Sequence, residues 1–400
     1  MSTVKLARRV TDIKISPSTA AAQKARDLKA EGRDIVDLTV GEPDFDTPDS
    51  IKTVAIDAIR AGDTKYTPVN GTIALRKAIQ HDYSSRLGID CALDAICVGG
   101  GAKQILFLAL TATVEAGDEV IIPAPYWVSY PDMVIANGGT PVIVPCGEEA
   151  RFKLSPAALE AAITSATRWV VLNSPSNPTG VAYTADELKA LGEVLKRHPQ
   201  IFVLCDEIYD RICYADFPVC SIVSAVPKLA GRALVVNGVS KSYAMTGWRI
   251  GYASGPKVLI DAINKLQSQS SSCPSSISQA AAALTGDQSS VEATVEVYRE
   301  RCEHIWKRLN AIDGLSCVKP DGAFYLYPNC SGMIGKTTPE GKTIGNDLDF
   351  VIYLLESAGV ASIHGAAYGM EPHFRISTAT SMKILNDGCD RIEVACKALH

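Results

Sequence analysis

Between residues 96 and 240 the chain alternates short apolar runs with stretches of helical period. AICVGGG, DEVIIPAP, TPVIVP, RWVVLNSP, IFVLCDE and ALVVNGVS are apolar runs that stop at Gly, Pro, Ser or an acidic residue. AKQILFLALTATVEA, SPAALEAAITS and TADELKALGEVLKRH lie among them and read as helices. Strands that are apolar along their whole length are covered on both faces, so this rhythm predicts an α/β fold with a mostly parallel sheet sandwiched by helices. Chemistry on such sheets gathers at the carboxyl ends of strands. Residues 173–180, Asp206 and Lys241 all fall just past such ends.

The flanks read differently. Residues 20–31 (AAAQKARDLKAE) predict a helix ending at Gly32, and DIVDLTVGEPDFDTPDS a short strand and a Pro/Asp turn. Asp49 or Ser50 is expected to cap a helix running through Ala61. After about residue 290 a long charged helix, the strand GAFYLYPN, the helix LDFVIYLLESAG, the strand FRIST and a final helix predict a small α+β unit. The expected division is 1–49 as an N-terminal arm and segment joining the small unit, 50–290 as the large unit and 291–400 as the small one. A hinge is expected near residues 289–291.

Composition narrows the chemistry. A length of 400 residues suits two or three domains, and 47% hydrophobic with 21% charged residues excludes wholesale disorder and a coiled-coil rod. Thirty-nine basic against 44 acidic residues give a net charge of −5, so no global positive field exists for a nucleic acid or an anionic membrane. Small molecules or other proteins are the expected partners. Twelve cysteines contain no C-x-x-C, and six histidines show no paired ligand spacing, so no metal site is expected. No signal-peptide core follows the start and no run of about 20 apolar residues occurs. Lys5, Arg8, Arg9 and Lys14 resemble a transit peptide faintly, but a solvated basic arm and a reducing cytoplasm fit better.

Several residues then carry two readings each. The run CVGGGAKQ (97–104), strand to glycines to helix, is either a tight turn or a phosphate cradle of backbone N–H groups. It matches neither G-x-x-x-x-G-K-[ST] nor G-x-G-x-x-G. Lys241 is either a snorkelling lysine or one whose neutral amine attacks a carbonyl. Arg249, eight residues on in a Gly-flanked apolar stretch, wants an anion, and its fork suits phosphate. Asp206 either caps a helix after its strand or faces a protonated ring nitrogen. Such a pair at about 4 Å and an effective dielectric of about 20 is worth on the order of 4 kcal/mol. Tyr209 either packs or reaches the same ring, Asn177 before Pro178 is turn chemistry or a ligand, and Arg375 in FRIST is an ion-pair partner or a carboxylate clamp. Taken jointly, a carbonyl-capturing lysine, an anion cradle, a phosphate-seeking arginine and a ring-nitrogen acid describe pyridoxal 5′-phosphate.

The blocks GEPDFDTP (41–48), TKYTP (64–68), GDEVIIPAPYWVSYP (117–131), NSPSNPTG (173–180), CDEIYD (205–210), VSKSYAMTGWRIGY (239–252), GAFYLYP (322–328) and FRIS (374–377) span nearly the whole chain. With them the chain resembles the fold-type I, class I aminotransferases, and most of all the bacterial 1β aspartate aminotransferases, some of which also act on prephenate. The resemblance implies a large domain with a mostly parallel sheet plus a smaller α+β domain. It implies a ping-pong transfer of an amino group between aspartate, or another dicarboxylic amino acid, and 2-oxoglutarate. Prephenate or broader specificity is the alternative.

Residue by residue, the resemblance implies that Lys241 forms the Schiff base and shuttles the proton. Asp206 holds the ring nitrogen, Tyr209 and Asn177 meet the ring oxygen, and Trp127 stacks on the ring. Arg249 holds the phosphate with the backbone of Gly101, Ala102 and Lys103. Tyr66 is implied to reach the site of a second subunit, making a homodimer. Arg375 takes the α-carboxylate with Gly41 and Asn177, while Lys103, Lys14 and Ser18 serve the distal carboxylate. Departures from the family pattern are Ile15 and Ser18 near the N-terminus, GGGAKQ in the cradle, Leu108 and Thr378. All are expected near the pocket or cradle.

Overall fold

The computed structural model describes residues 4–15, 17–283 and 289–400, with only the backbone at Ser18. Seven strands form its main sheet: β2 (Ile96–Gly99), β3 (Glu119–Ala124), β4 (Thr140–Pro145), β5 (Thr167–Asn173), β6 (Phe202–Asp206), β7 (Ala233–Gly238) and β8 (Gly251–Ser254). Their order is β2-β8-β7-β6-β5-β3-β4. β3, β4, β5, β6 and β7 pair in parallel, and β8 runs antiparallel to both β7 and β2. Every strand of the sheet except β8 therefore points the same way, and their carboxyl ends open on one side.

Alternation along each strand fills two cores. Val98, Ile121, Val170, Val203 and Val235 face one helical layer. Cys97, Val120, Ile122, Trp169, Val171, Leu204 and Val236 face the other. Period-two side-chain alternation with both sets apolar is what a sheet covered on both faces requires. The helix Ala185–Arg197 begins with a capping box in which Thr184 and Glu187 satisfy each other's backbone.

A third core is built from the chain's two ends. β1 (Val36–Asp37) pairs in parallel with β10 (Val360–Ala361). β9 (Tyr325–Leu326), β11 (Ile363–His364) and β12 (Phe374–Ser377) form an antiparallel sheet with β12 central. Val36 and Leu38 pack with Cys302, Ile305, Phe350, Phe374, Ile376 and Ile392 in that core. Residues 289–291 open the helix Ser289–Asn310.

One capping expectation is corrected. Pro48, not Asp49 or Ser50, is the N-cap of the helix Asp49–Arg60. Asp49 is already helical and turns its carboxylate 2.6 Å to Lys52 instead of back to the helix N–H groups. A negative charge in the first turn still suits the helix dipole.

Candidate active site

One cavity of about 550 Å³ opens at the carboxyl ends of the main sheet. Its lining includes Lys241, Asp206, Tyr209, Asn177, Arg249 and Arg375, with Gly41, Ala102, Lys103 and Trp127. The fold assembles them from strand ends. Asn173 and Asp206 are paired last residues of β5 and β6, and Lys241 lies three residues beyond the end of β7.

Asp206 is 4% exposed. Burial raises its carboxyl above the usual range, against the Tyr130 hydroxyl, the Ile208 N–H and the cation of Lys241, which favour the ionised form. Tyr130 donates to Asp206 Oδ2 at 2.6 Å, and its ring meets Trp127 edge-on at 5.3 Å. A buried carboxylate with one strong donor still calls for a cation.

Lys241 donates from Nζ to the Gly41 carbonyl at 2.6 Å. Burial lowers its ammonium to about 8, with Arg375 and Arg249 acting in the same direction against Glu42 and Asp206. An amine in that range is neutral often enough to act as nucleophile and base.

The cradle is built by close approach. Gly101 caps the helix Ala102–Thr113 with φ 97°, in the left-handed region. A Cβ on Gly101 would collide with Arg249 Nη2, and one on Gly251 of β8 would collide with the Ala102 nitrogen. Arg249 reaches the Thr246 carbonyl at 2.9 Å and the Gly100 carbonyl at 3.3 Å. A guanidinium beside a helix N-terminus makes a seat for a phosphate-sized dianion. Lys103 Nζ lies 4.6 Å from the centre of the Trp127 ring. Desolvation, with the charge of Arg249 adding to it, lowers the Lys103 ammonium.

Arg375 is only 2% exposed. It donates to Asn177 Oδ1 at 3.0 Å and to the Thr39 carbonyl at 2.7 Å. Its guanidinium carbon lies 4.4 Å from the Tyr325 ring centre, and the Tyr325 hydroxyl is 2.9 Å from that of Tyr209. Nε of Arg375 has no partner among the described residues. A buried guanidinium held by two neutral acceptors, with a donor to spare, fits a bound carboxylate. The donor set as a whole fits a phosphorylated pyridine ring with a carboxylate beside it.

Other expected residues fall elsewhere. Lys14 is exposed, and its backbone N–H bonds Asp132 at 3.2 Å; it is not part of the cavity lining. The side chain of Ser18 lies outside the described residues. Tyr66 is 92% exposed and is also absent from the lining. Leu108 and Thr378, expected near the pocket, are not among the residues that line it. Leu108 is buried in the core beneath its own helix, and Thr378 bonds Cys302 at 3.2 Å and the Phe324 carbonyl at 2.8 Å. Sequence reasoning missed Tyr130, Tyr325, Thr39 and Arg26, all but Tyr130 in the lining. Tyr130 and Tyr325 sit inside motif blocks, and that was their only signal. Nothing local marks Arg26, on the helix Pro17–Ala30.

Among the described residues no helix is long and apolar enough to cross a membrane. The family model for class I and II aminotransferases matches residues 33–392. A probable aspartate/prephenate aminotransferase of Rhizobium leguminosarum bv. phaseoli is 52% identical over 98% of this chain and 99% of its own length. An aspartate/prephenate aminotransferase of Cereibacter sphaeroides is 51% identical over 97% of both chains. The crystal structure of the aspartate aminotransferase from Rhizobium meliloti superposes with a TM-score of 0.97 at 49% identity, covering 99% of this chain and 100% of that one. The Thermus thermophilus aspartate aminotransferase solved with maleate gives 0.92 at 38% identity, over 98% and 100%.

Proposed function

The chain belongs to the class I and II aminotransferases, whose cofactor is pyridoxal phosphate, and we propose that it moves the amino group between L-aspartate and 2-oxoglutarate. The observation that carries this reading is the convergence of Lys241, Asp206, Arg249 and Arg375 on one cavity. The relatives' names supply the dicarboxylic substrate class. When bound, pyridoxal phosphate supplies an aldehyde carbon for the amino nitrogen and a protonated ring that takes up the electron pair left at Cα.

The chain's own residues do the rest. Arg249 and the N–H groups at Gly101, Ala102 and Lys103 hold the phosphate. Asp206 holds a proton on the ring nitrogen, Asn177 and Tyr209 bind the ring oxygen, and Trp127 covers one face. Arg375, with Asn177 and Gly41, fixes the α-carboxylate so that the Cα–H bond points at Lys241. The Lys241 amine takes the Cα proton and delivers it one position along the bonded chain. Lys103 takes the distal carboxylate. Lys14 and Ser18 are assigned to the same end, on the N-terminal segment.

Two copies share each site in this reading, with Tyr66 reaching the partner's phosphate. The 92% exposure of Tyr66 supports this reading. The domains divide near residue 290, with residues 1–49 folding beside the C-terminal unit. The enzyme works in the cytoplasm. Prephenate is a second amino acceptor, a reading favoured by the names of two relatives.

A panel of amino donors and oxo acids, prephenate included, ranked by kcat/KM, tests the assignment. Aspartate and 2-oxoglutarate are expected to lead, and a neutral amino acid ranking first would overturn the dicarboxylate reading. Lys241→Ala is expected to abolish turnover, because the anchoring group and the base are one residue.

A further inference from the structure

The ring-side acid and the carboxylate clamp reach the cavity from different parts of the chain, Asp206 from β6 and Arg375 from β12. Two asparagines, Asn173 and Asn177, connect them. Asn173, the last residue of β5, sits directly opposite Asp206 in the parallel ladder. Its Nδ2 donates to the Asp206 carbonyl at 2.8 Å, and its Oδ1 accepts from the Asn177 N–H at 2.9 Å. Asn177 Oδ1 accepts in turn from Arg375 Nη1 at 3.0 Å. Asn173 itself lines the cavity.

We propose that Asn173 is a positioning residue that ties Asp206, Asn177 and, through Asn177, Arg375 into one rigid unit. The inference rests on the aminotransferase reading above and names a residue that sets its geometry.

The chemistry of the amide is what the position requires. The Asp206 carbonyl also accepts from the Ser174 N–H, at 3.3 Å, so the backbone alone holds it loosely. The Asn177 N–H points back toward the strand end, where only an acceptor can hold it. An amide whose donor and acceptor sit on separate atoms meets both demands at once; alanine and leucine offer neither, and a serine hydroxyl, one atom shorter, does not span both groups. Asn177 is 6% exposed and followed by proline, and the Asn173 bond to its N–H holds the backbone from which its Oδ1 reaches Arg375. That Oδ1 aims Arg375. Small errors of aim at a clamp are costly, since a misplacement of about 1 Å is worth up to about 100-fold in rate.

The test uses purified holoenzyme. Asn173→Ala removes both bonds, and Asn173→Asp keeps the acceptor for Asn177 while losing the donor to Asp206. Two readouts need no turnover: the affinity for succinate, an unreactive dicarboxylate, and the pH at which the visible band of the bound cofactor titrates. With Asn173→Ala, succinate affinity is expected to fall and the KM for aspartate to rise, each about tenfold or more. The band is expected to titrate at a shifted pH, because Asn177 has lost its aim at the ring oxygen. With Asn173→Asp, the added negative charge weakens succinate binding somewhat, but the loss of affinity and the rise in KM are expected to be clearly smaller than with Asn173→Ala.

A purely structural asparagine would lower the melting temperature and leave succinate affinity, KM and the band unmoved; that result overturns the proposal. Asn173→Asp losing succinate affinity as badly as Asn173→Ala overturns the link to Arg375. Should Asn173→Ala not fold, Asn173→Ser, too short to span both groups, is expected to show the same losses, and unmoved readouts in it overturn the proposal equally. Wild-type holoenzyme that neither binds succinate nor accepts aspartate would sink the dicarboxylate reading instead, and the band would still report on Asn173.

Discussion

In the role proposed for it, Lys241 must be neutral before it can join the cofactor, and its surroundings set the pH at which that happens. Burial brings its ammonium to about 8, and the cations of Arg375 and Arg249 help. Below that pH the neutral fraction falls by about tenfold per unit. Capture of pyridoxal phosphate by the apoprotein, followed by the growth of its visible band, is therefore expected to accelerate as pH rises from 6 to about 8 and to level above it. A rate that is flat from pH 6 to 9 would mean that the amine is already neutral. Lys103 differs from Lys241 in being exposed, with its Nζ beside the Trp127 ring, and the role proposed for it is selective. Lys103→Ala is expected to raise the KM for aspartate and glutamate by about tenfold or more and to leave alanine nearly unchanged, as the loss of one charge-assisted contact implies. Equal losses for both classes would remove it from the distal subsite. At this scale the sequence named ten residues of the cavity lining, and Lys241, Asp206, Asn177 and Arg249 were legible because they lie beside strand ends or glycines that stand out in the chain. Tyr130 and Arg26 stayed hidden for a physical reason. Tyr130 matters through a hydroxyl that meets Asp206 across 76 positions of chain, and Arg26 through a helix that folds over the cavity. Lys14 stands apart from the lining in this structure, on the surface with its backbone N–H on Asp132.

Elements decide whether the phosphate seat exists at all. The helix Ala102–Thr113 presses its first turn onto β8 at Gly251 and brings Gly101 against Arg249, both by contacts that leave no room for a Cβ. Gly101→Ala adds that atom and also demands φ 97° of an alanine. Backbone strain of this kind costs about 1–3 kcal/mol, so cofactor affinity is expected to fall by about five- to 150-fold. Gly100→Ala is the control, because its Cβ would meet only the Gln104 side chain, 3.0 Å away, and equilibrium dialysis should find a much smaller loss. Equal losses in the two variants would show that the cradle is not built by close approach. Six of the seven main-sheet strands were legible because each is an apolar run ended by a turn residue. β8 was not, because GYAS is short and consists mostly of glycine, alanine and serine, a composition that says nothing about strands until β7 and β2 flank it. The helix Ile73–Leu87 was hidden too: its buried stripe is Leu75, Ile79, Tyr83 and Leu87, and charged or polar residues fill most of the spaces between.

At the scale of the whole molecule, the main sheet encloses one carboxyl group whose state should govern stability as pH changes. Glu207 follows Asp206, is 6% exposed, and its Oε2 has no partner among the described residues. Burial raises its carboxyl to about 8, with Asp210 and Asp206 adding to the effect while Ser221 and Arg86 oppose it. The unfolded chain releases the same proton near the ordinary value of 4.5. Between those two pH values the folded protein holds a proton that the unfolded chain has lost, so this group makes stability fall as pH rises from 4.5 toward 8 and adds nothing further above that. The full shift corresponds to a ceiling of about 5 kcal/mol. Glu207→Gln keeps the shape and removes the titration. Its unfolding free energy, measured in urea, is expected to match wild type near pH 4.5 and to exceed it by a growing margin up to about pH 8. A margin that stays constant over that range would mean that Glu207 is ionised in the folded protein and that a cation or water satisfies its Oε2. The expected result would place a neutral carboxyl immediately beside Asp206, leaving Asp206 as the residue whose charge answers to the ring.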